Sequence, residues 1–238
     1  VLERAGISVP GGYEYTSPEA GMADYRLYAG KPVVIKPKST NFGLGITILK
    51  HNYDETDFKA ALQIAFEHDN TVLIEKFIPG REFRIFIIND EVVGILHRVP
   101  ANVTGDGVLN IGQLIDMKNE DPLRGKGYRT PLEKIRKGRE EEMFLKQQGM
   151  DFNTVPKERE VVYLRENSNI STGGDSIDFT DDIDDSYKAI AVEAAKALNV
   201  KITGLDMMIQ DIHAPATPDN YAIIEMNFNP AIDIHCYP

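Results

Sequence analysis

The sequence is poor in cysteine: its 238 residues include one, Cys236. No disulfide framework can form within the chain, and a reducing cytoplasm is the compartment that suits it. Positive charge is also scarce, with 26 Lys and Arg against 37 Asp and Glu, a net charge of -11. That balance argues against a duplex nucleic-acid binder, which needs a basic face to displace counterions, but it leaves room for a local basic pocket. Long apolar runs are missing. Val33-Val34-Ile35 is typical, whereas a bilayer span needs about 20 apolar residues. No basic-then-apolar leader opens the chain, and no internal repeat is present. The five histidines show no ligand-like spacing, and no histidine–carboxylate–serine set suggests a nucleophile. The glycine spacings of the P-loop and of the dinucleotide fold are absent. The apolar share of 42% and the charged share of 26% suit a globular protein with a real core.

What is present reads as alternating short strands and helices. Residues 32–37 form a buried strand, 38–45 a polar glycine-bearing loop, and 46–49 the returning strand. Asp54 caps a helix over 55–68 with Phe58, Leu62 and Ala65 on one face. Strands follow at 71–77, 82–88 and 91–98, the last two as a hairpin around Asn89-Asp90. Residues 119–158 are rich in charge and predict short helices with mobile connections, either a lid or a solvated excursion without a role. A strand at 161–165, a small-residue loop at 169–174, a helix from Asp184 or Asp185 to about Leu198 and strands at 202–209 and 221–228 complete the chain. Hairpins mixed with helices predict an α+β fold with antiparallel or mixed sheets. Val1 to Gly6 reads as a helix end closed by glycine, and 235–238 lacks the composition of a tail. Both predict a domain taken from a longer polypeptide.

Several side chains are costly where the pattern puts them. Asp206 lies within the apolar strand Ile202–Ile209, and Glu225 within Ala222–Phe228; a buried carboxylate needs a positive partner. Glu225 and Asn227 share a strand face, and if the two strands pair, Asp206 can join them in an oxygen-ligand site for a hard cation such as magnesium. Simple pairing of the acids with Lys or Arg is the alternative. Lys36 ends a strand, either snorkelling to solvent or serving with the loop Ser39, Thr40, Asn41, Phe42, Gly43, Leu44, Gly45 as a triphosphate clamp. The segment Glu75, Lys76, Phe77, Ile78 offers backbone groups to an adenine edge, and Glu82 offers a carboxylate to ribose hydroxyls or is a surface acid. Arg84 and Arg98 sit on hairpin strands, in structural ion pairs or aimed at a phosphoryl group.

In this order the pieces resemble the ATP-grasp superfamily across the whole chain. The stretches 98–107 and 169–174 resemble cyanophycin synthetase, and more closely the C-terminal ligase domain of bacterial bifunctional glutamate-cysteine ligase/glutathione synthetases, as does 121–135. The resemblance implies two α+β subdomains clasping ATP, about 15–78 with the phosphate flap and about 79–238 with the metal and substrate sites. It also implies roles. Lys36 would hold phosphates, Glu75 and the Phe77-Ile78 backbone adenine, and Glu82 ribose. Asp206, Glu225 and Asn227 would ligate two magnesium ions, with manganese as the alternative. Arg98 would face the transferred phosphoryl group, and Asn169, Ser171, Thr172, Gly173 and Gly174 would line the acyl-phosphate site. The implied reaction joins γ-glutamylcysteine to glycine in the cytoplasm, with a glutamate-cysteine ligase domain preceding. A cyanophycin-type ligase and a nucleotide-binding module without chemistry are the other readings. The family's additional nucleotide-binding lysine would lie before Val1, and its closing helix after Pro238.

Overall fold

The computed structural model describes residues 1–40, 44–50, 52–127, 129–165 and 168–235. Two compact units divide them. The first comprises Val1–Gly80, Met208–Gln210 and Thr217–Ile224; the second comprises Arg81–Met207, Asp211–Ala216 and Glu225–Pro238. Among the described residues no helix is long and apolar enough to cross a membrane.

The first unit contains β1 (Gly12–Tyr15), the short helices α1 (Pro18–Ala23) and α2 (Tyr25–Tyr28), β2 (Val33–Pro37), β3 (Thr47–Leu49), α3 (Glu55–Phe66) and β4 (Val72–Lys76). The sheet runs in the order β1-β4-β2-β3, antiparallel throughout. Burial alternates along β2, as a half-covered strand requires. Val33 and Ile35 point into a core with Ile74, Phe58, Leu62 and Ala65. The α3 helix starts where the sequence predicts, with Asp54 and Asp57 forming a reciprocal capping box. Register places Val34 opposite Glu75 and Lys36 opposite Leu73. Lys36 and Glu75 therefore project together from the sheet face turned away from α3. Gly12 lies opposite Glu75. A Cβ there would come within 2.9 Å of the Glu75 Cα, so the close strand approach requires glycine.

The second unit begins with β5 (Arg81–Ile88) and β6 (Glu91–Val99). Asn89 and Asp90 both have positive φ, 48° and 70°, the two-residue turn whose twist suits a hairpin. Next come β7 (Asn102–Thr104), α4 (Ile111–Lys118), β8 (Arg124–Gly125), β9 (Leu132–Glu133), α5 (Arg139–Gln147), β10 (Val161–Tyr163), β11 (Asp175–Asp178), α6 (Asp185–Ala197), β12 (Ile202–Ile209) and β13 (Tyr221–Asn227). The main sheet has the order β11-β6-β5-β12-β13, with Met208 and Ile209 of β12 and residues 221–224 of β13 counted in the first unit. Alternation and the β5–β6 register put Glu82, Arg84, Leu96 and Arg98 on one face and Phe83, Ile85, Ile95 and His97 on the other. The buried stripe of α6 is Tyr187, Ala191, Ala194 and Ala195. Of the residues the sequence reading turned inward, Ala194 belongs to it, whereas Ile190 and Ala197 are half-exposed.

The charge-rich stretch 119–158 is anchored rather than detached. Ile135 and Leu145 enter a cluster with Ile111, Leu114 and Ile115 of α4 and with Val103 and Val162 of the small β7–β10 sheet. The buried Glu141 accepts two bonds, from the Gly138 amide at 2.9 Å and from the Arg165 guanidinium.

Candidate functional site

In the first unit the site is the open sheet face. Lys36 Nζ stands 2.7 Å from Glu75 Oε2, both side chains about four-fifths covered. Lys38 pairs with Glu14 at 2.7 Å in a more exposed position. The loop after β2 is tied at its base, where the Ser39 amide donates to Asp69 Oδ2 at 2.7 Å. The amides of Thr71 and then Ser39 hold the Asp69 carboxyl below its usual range. Gly45 has φ 76°, and a Cβ there would press on Pro37 and His68 at 2.7 Å. Asn41 and Gly43 lie outside the described residues. The Phe77 amide donates to the Pro32 carbonyl at 3.1 Å, and the Lys76 amide to Gly11 at 2.9 Å. At Phe77 only the carbonyl is left to offer a base edge.

In the second unit the charged face of the main sheet holds a four-membered cluster. Arg84 forks onto Asp206, through Nε to Oδ1 and through Nη2 to Oδ2 at 2.9 Å. Arg98 Nη2 reaches Asp206 Oδ2 at 3.2 Å and also contacts Glu82 Oε1. Ser168 donates to Glu82 Oε2 at 3.2 Å. Asp206 is 1% exposed, so the pairing is the compensation that a buried carboxylate demands. Arg98 Nε is buried and has no hydrogen-bond partner among the described residues.

The cation-site residues are placed unevenly. Asp206 is occupied by two guanidiniums, as the pairing alternative anticipates. Glu225 is exposed and Asn227 half-buried, and Glu225 has no salt-bridge partner among the described residues. The set offers only hard oxygen donors, the chemistry suited to magnesium or manganese. Among the described residues no group of three or more His, Cys, Asp or Glu is gathered to hold a metal; the proposed set has two carboxylates and an amide.

The loop 169–174 is a single 3-10 turn over Ile170–Thr172. Thr172 Oγ1 donates to the Asn169 carbonyl at 2.8 Å. Gly173 closes the turn at φ 93°, and the Gly174 amide donates back to Asn169 at 3.3 Å. Ser171 is half-buried.

The sequence reading passed over a second polar cluster and two histidines. Arg124, Lys118 and Asn102 converge on Asp175; their separation in sequence left no local signal. Burial lowers the Lys118 ammonium below the ordinary lysine range, against the opposing pull of Asp175. His97 sits between Phe83 and Phe179. Burial and the charge of Arg81 push its pKa down to about 4. His235 stacks on Phe86 at 5.1 Å and is also lowered to about 4, by burial first and by Arg84 next.

The family model described as D-ala D-ala ligase C-terminus matches residues 14–113. The glutathione biosynthesis bifunctional protein GshAB of Desulfotalea psychrophila is 61% identical over 238 residues, covering 100% of this chain and 31% of that protein. Its counterpart from Clostridium perfringens is 55% identical over the same span. The crystal structure of a bifunctional glutathione synthetase from Pasteurella multocida superposes with a TM-score of 0.73 at 48% identity, covering 100% of this chain and 32% of that one. D-alanine–D-alanine ligase from Bacillus anthracis shares the fold, with a TM-score of 0.55 at 19% identity over 97% of this chain and 55% of its own. The chain spans about a third of the length of the curated relatives it matches. It has the ATP-grasp fold, α+β with mainly antiparallel sheets, and along its whole length it is a homologue of one third of the bifunctional glutathione biosynthesis proteins.

Proposed function

We propose that this chain is an ATP-dependent carboxylate–amine ligase carrying out the glutathione synthetase step. The γ-glutamylcysteine carboxylate attacks the γ-phosphorus of ATP, giving an acyl phosphate and ADP. The glycine amine then attacks the acyl carbon and expels phosphate. The observation that carries the reading is Arg98: a largely buried guanidinium whose Nε has no partner among the described residues, beside a buried carboxylate, on a sheet face otherwise neutralised by internal pairing. Such a donor suits a phosphoryl group whose charge is redistributed during transfer.

The remaining assignments follow from position. Lys36, released from Glu75, is the ammonium available to the phosphates. The loop 38–45, with Ser39, Asn41, Gly43 and Gly45, would serve as the phosphate flap, and the stretch 119–158 as a lid against water. Glu75, Lys76, Phe77 and Ile78 frame adenine, and Glu82 holds ribose. Asp206, Glu225 and Asn227 would hold two magnesium ions, or manganese, which neutralise phosphate charge when bound. Asn169, Ser171, Thr172, Gly173 and Gly174 line the acyl-phosphate site. The relatives' extra length supports a glutamate-cysteine ligase domain in the parent chain.

The test is phosphate release by the chain with Mg-ATP across acid and amine pairs, using oxygen-labelled γ-glutamylcysteine. Label passing from carboxylate to phosphate supports the acyl phosphate. An active protein that transfers no label rules out that route. A preference for aspartyl-arginine substrates would indicate a cyanophycin-type ligase, and ATP binding without ADP under every pair a module without chemistry.

A further inference from the structure

We propose that Arg124 is a positioning residue: with Lys118, Asn119 and Asp175 it forms a latch that holds the 169–174 loop in the shape that receives the acid substrate. The proposal rests on the ligase reading above, which places that substrate against the loop.

The latch closes on the C-terminal end of the loop. Arg124 is 4% exposed, and its Nη1 donates to two carbonyls, Glu133 at 2.9 Å and Gly173 at 3.0 Å. Its Nη2 contacts Asp175 Oδ1. Asp175 directly follows Gly174, so one guanidinium grips the loop at Gly173 and at the residue where the loop becomes β11. Lys118, at the end of α4, donates to Asp175 Oδ2 at 2.6 Å and to the Asn102 carbonyl and Oδ1 at 3.0 and 3.1 Å. All three ammonium donors are thereby used. Asn102 Nδ2 returns to Asp175 Oδ2 at 2.9 Å.

The next residue, the C-cap of α4, fixes the surface beneath the loop. Asn119 exchanges two bonds with the Ile135 backbone, both 2.8 Å. Gly173 lies on that backbone so closely that a Cβ would sit 2.7 Å from the Ile135 Cα. The core of α4, Ile111, Leu114 and Ile115, is fully packed, so Lys118 and Asn119 reach the loop from a rigid base. A largely buried network whose members are satisfied favours one conformation.

The arrangement makes no use of its charge for binding. Two cations meet one carboxylate, and each of the donors named above ends on protein. Its consequence is therefore geometric. Arg124→Lys keeps the charge but removes the fork that reaches Gly173. A displacement of about 1 Å at a reacting group can lower the rate by roughly a hundredfold, and weaker seating of the acid appears first in its KM.

The experiment compares the full chain with Arg124→Lys and Gly173→Ala, the second disturbing the loop without touching the latch charges. Hydrogen exchange at the amides of 170–174 is read together with steady-state kinetics. The expected result is faster exchange confined to the loop, a KM for γ-glutamylcysteine raised roughly tenfold or more, and a KM for ATP within about twofold of the original. Unchanged loop exchange in Arg124→Lys overturns the latch. Faster exchange with an unchanged KM for the acid, or an equal rise in the KM for ATP, makes the residue merely structural and also overturns it. Should Arg124→Lys fail to fold, Gly173→Ala must show the same selective KM rise. A wild-type chain that ligates nothing refutes the ligase reading, while the exchange comparison still decides whether Arg124 holds the loop.

Discussion

Replacing Asp206 by Asn tests whether the charged cluster is held together as the geometry requires. The substitution preserves volume, so no cavity forms, but it removes the carboxylate onto which Arg84 forks twice and which Arg98 meets at 3.2 Å. Arg84 is 7% exposed and is left without its ionic partner. Stranding one member of a buried pair costs about 3–5 kcal/mol. The remaining amide oxygen can still accept one bond, which places the expected loss near 3 kcal/mol, the lower end of that range. With a urea m-value of about 2–3 kcal/mol per molar, the unfolding midpoint should fall by about 1 M or slightly more. The sequence has no Trp, so circular dichroism is the appropriate probe. Arg84→Met should destabilise by a similar amount, and the Arg84→Met/Asp206→Leu double variant by clearly less than the sum. A midpoint for Asp206→Asn indistinguishable from the wild type, or strict additivity in the cycle, would refute the reasoning.

Lys36→Met should leave the urea midpoint almost unchanged, because its partly exposed pair with Glu75 is worth at most about 1 kcal/mol, while weakening Mg-ATP binding roughly tenfold or more by titration calorimetry. Phe58→Ala should destabilise the first unit by about 3–5 kcal/mol, since the ring is fully buried and lies 5.2 Å and 5.7 Å from the rings of Tyr25 and Tyr28; thermal melts check it. Stability should also fall on acidification. The folded pKa of His97 and of His235 is depressed to about 4 from 6.5, so the unfolded chain binds more protons between those values. Their contribution is complete above pH 6.5 and is lost as pH falls through 4, by up to roughly 3 kcal/mol for each histidine. A urea midpoint that is flat from neutral pH to about 5 would contradict the depressed values.

Periodicity made much of the fold legible. The half-covered strand β2, the capped helix α3 and the Asn89-Asp90 hairpin each follow from local chemistry: alternation, an Asp cap, and two residues that tolerate positive φ. The α4 helix carried its own signal, an Asn110/Gln113 capping box ahead of Ile111, Leu114 and Ile115 at helical spacing. The helix is only eight residues long, too short for its periodicity to stand out. The β11 strand, Asp-Ser-Ile-Asp, has no strand pattern to read; pairing with β6 makes it one. The site divides in the same way. Lys36, Asp206 and Glu225 stand out because a charge within an apolar strand is anomalous on its face. The latch does not, because Arg124 meets Asp175 across 51 residues and each looks like an ordinary surface charge in its own segment.

Register also separates two arginines that sequence treats alike. Both Arg84 and Arg98 lie on one sheet face beside Asp206. Arg84 places Nε and Nη2 on the two oxygens of one carboxylate, the bidentate geometry in which a guanidinium is most firmly held. Its charge is consumed in keeping Asp206 fixed. Arg98 instead spans two carboxylates through the same nitrogen, and its Nε has no partner among the described residues. Such an arrangement is weaker on each side and leaves a desolvated donor, which is unfavourable until something accepts from it. Of the two, Arg98 is therefore the one whose energy an incoming anion lowers, and Arg84 the one that holds the carboxylate in place while it does so.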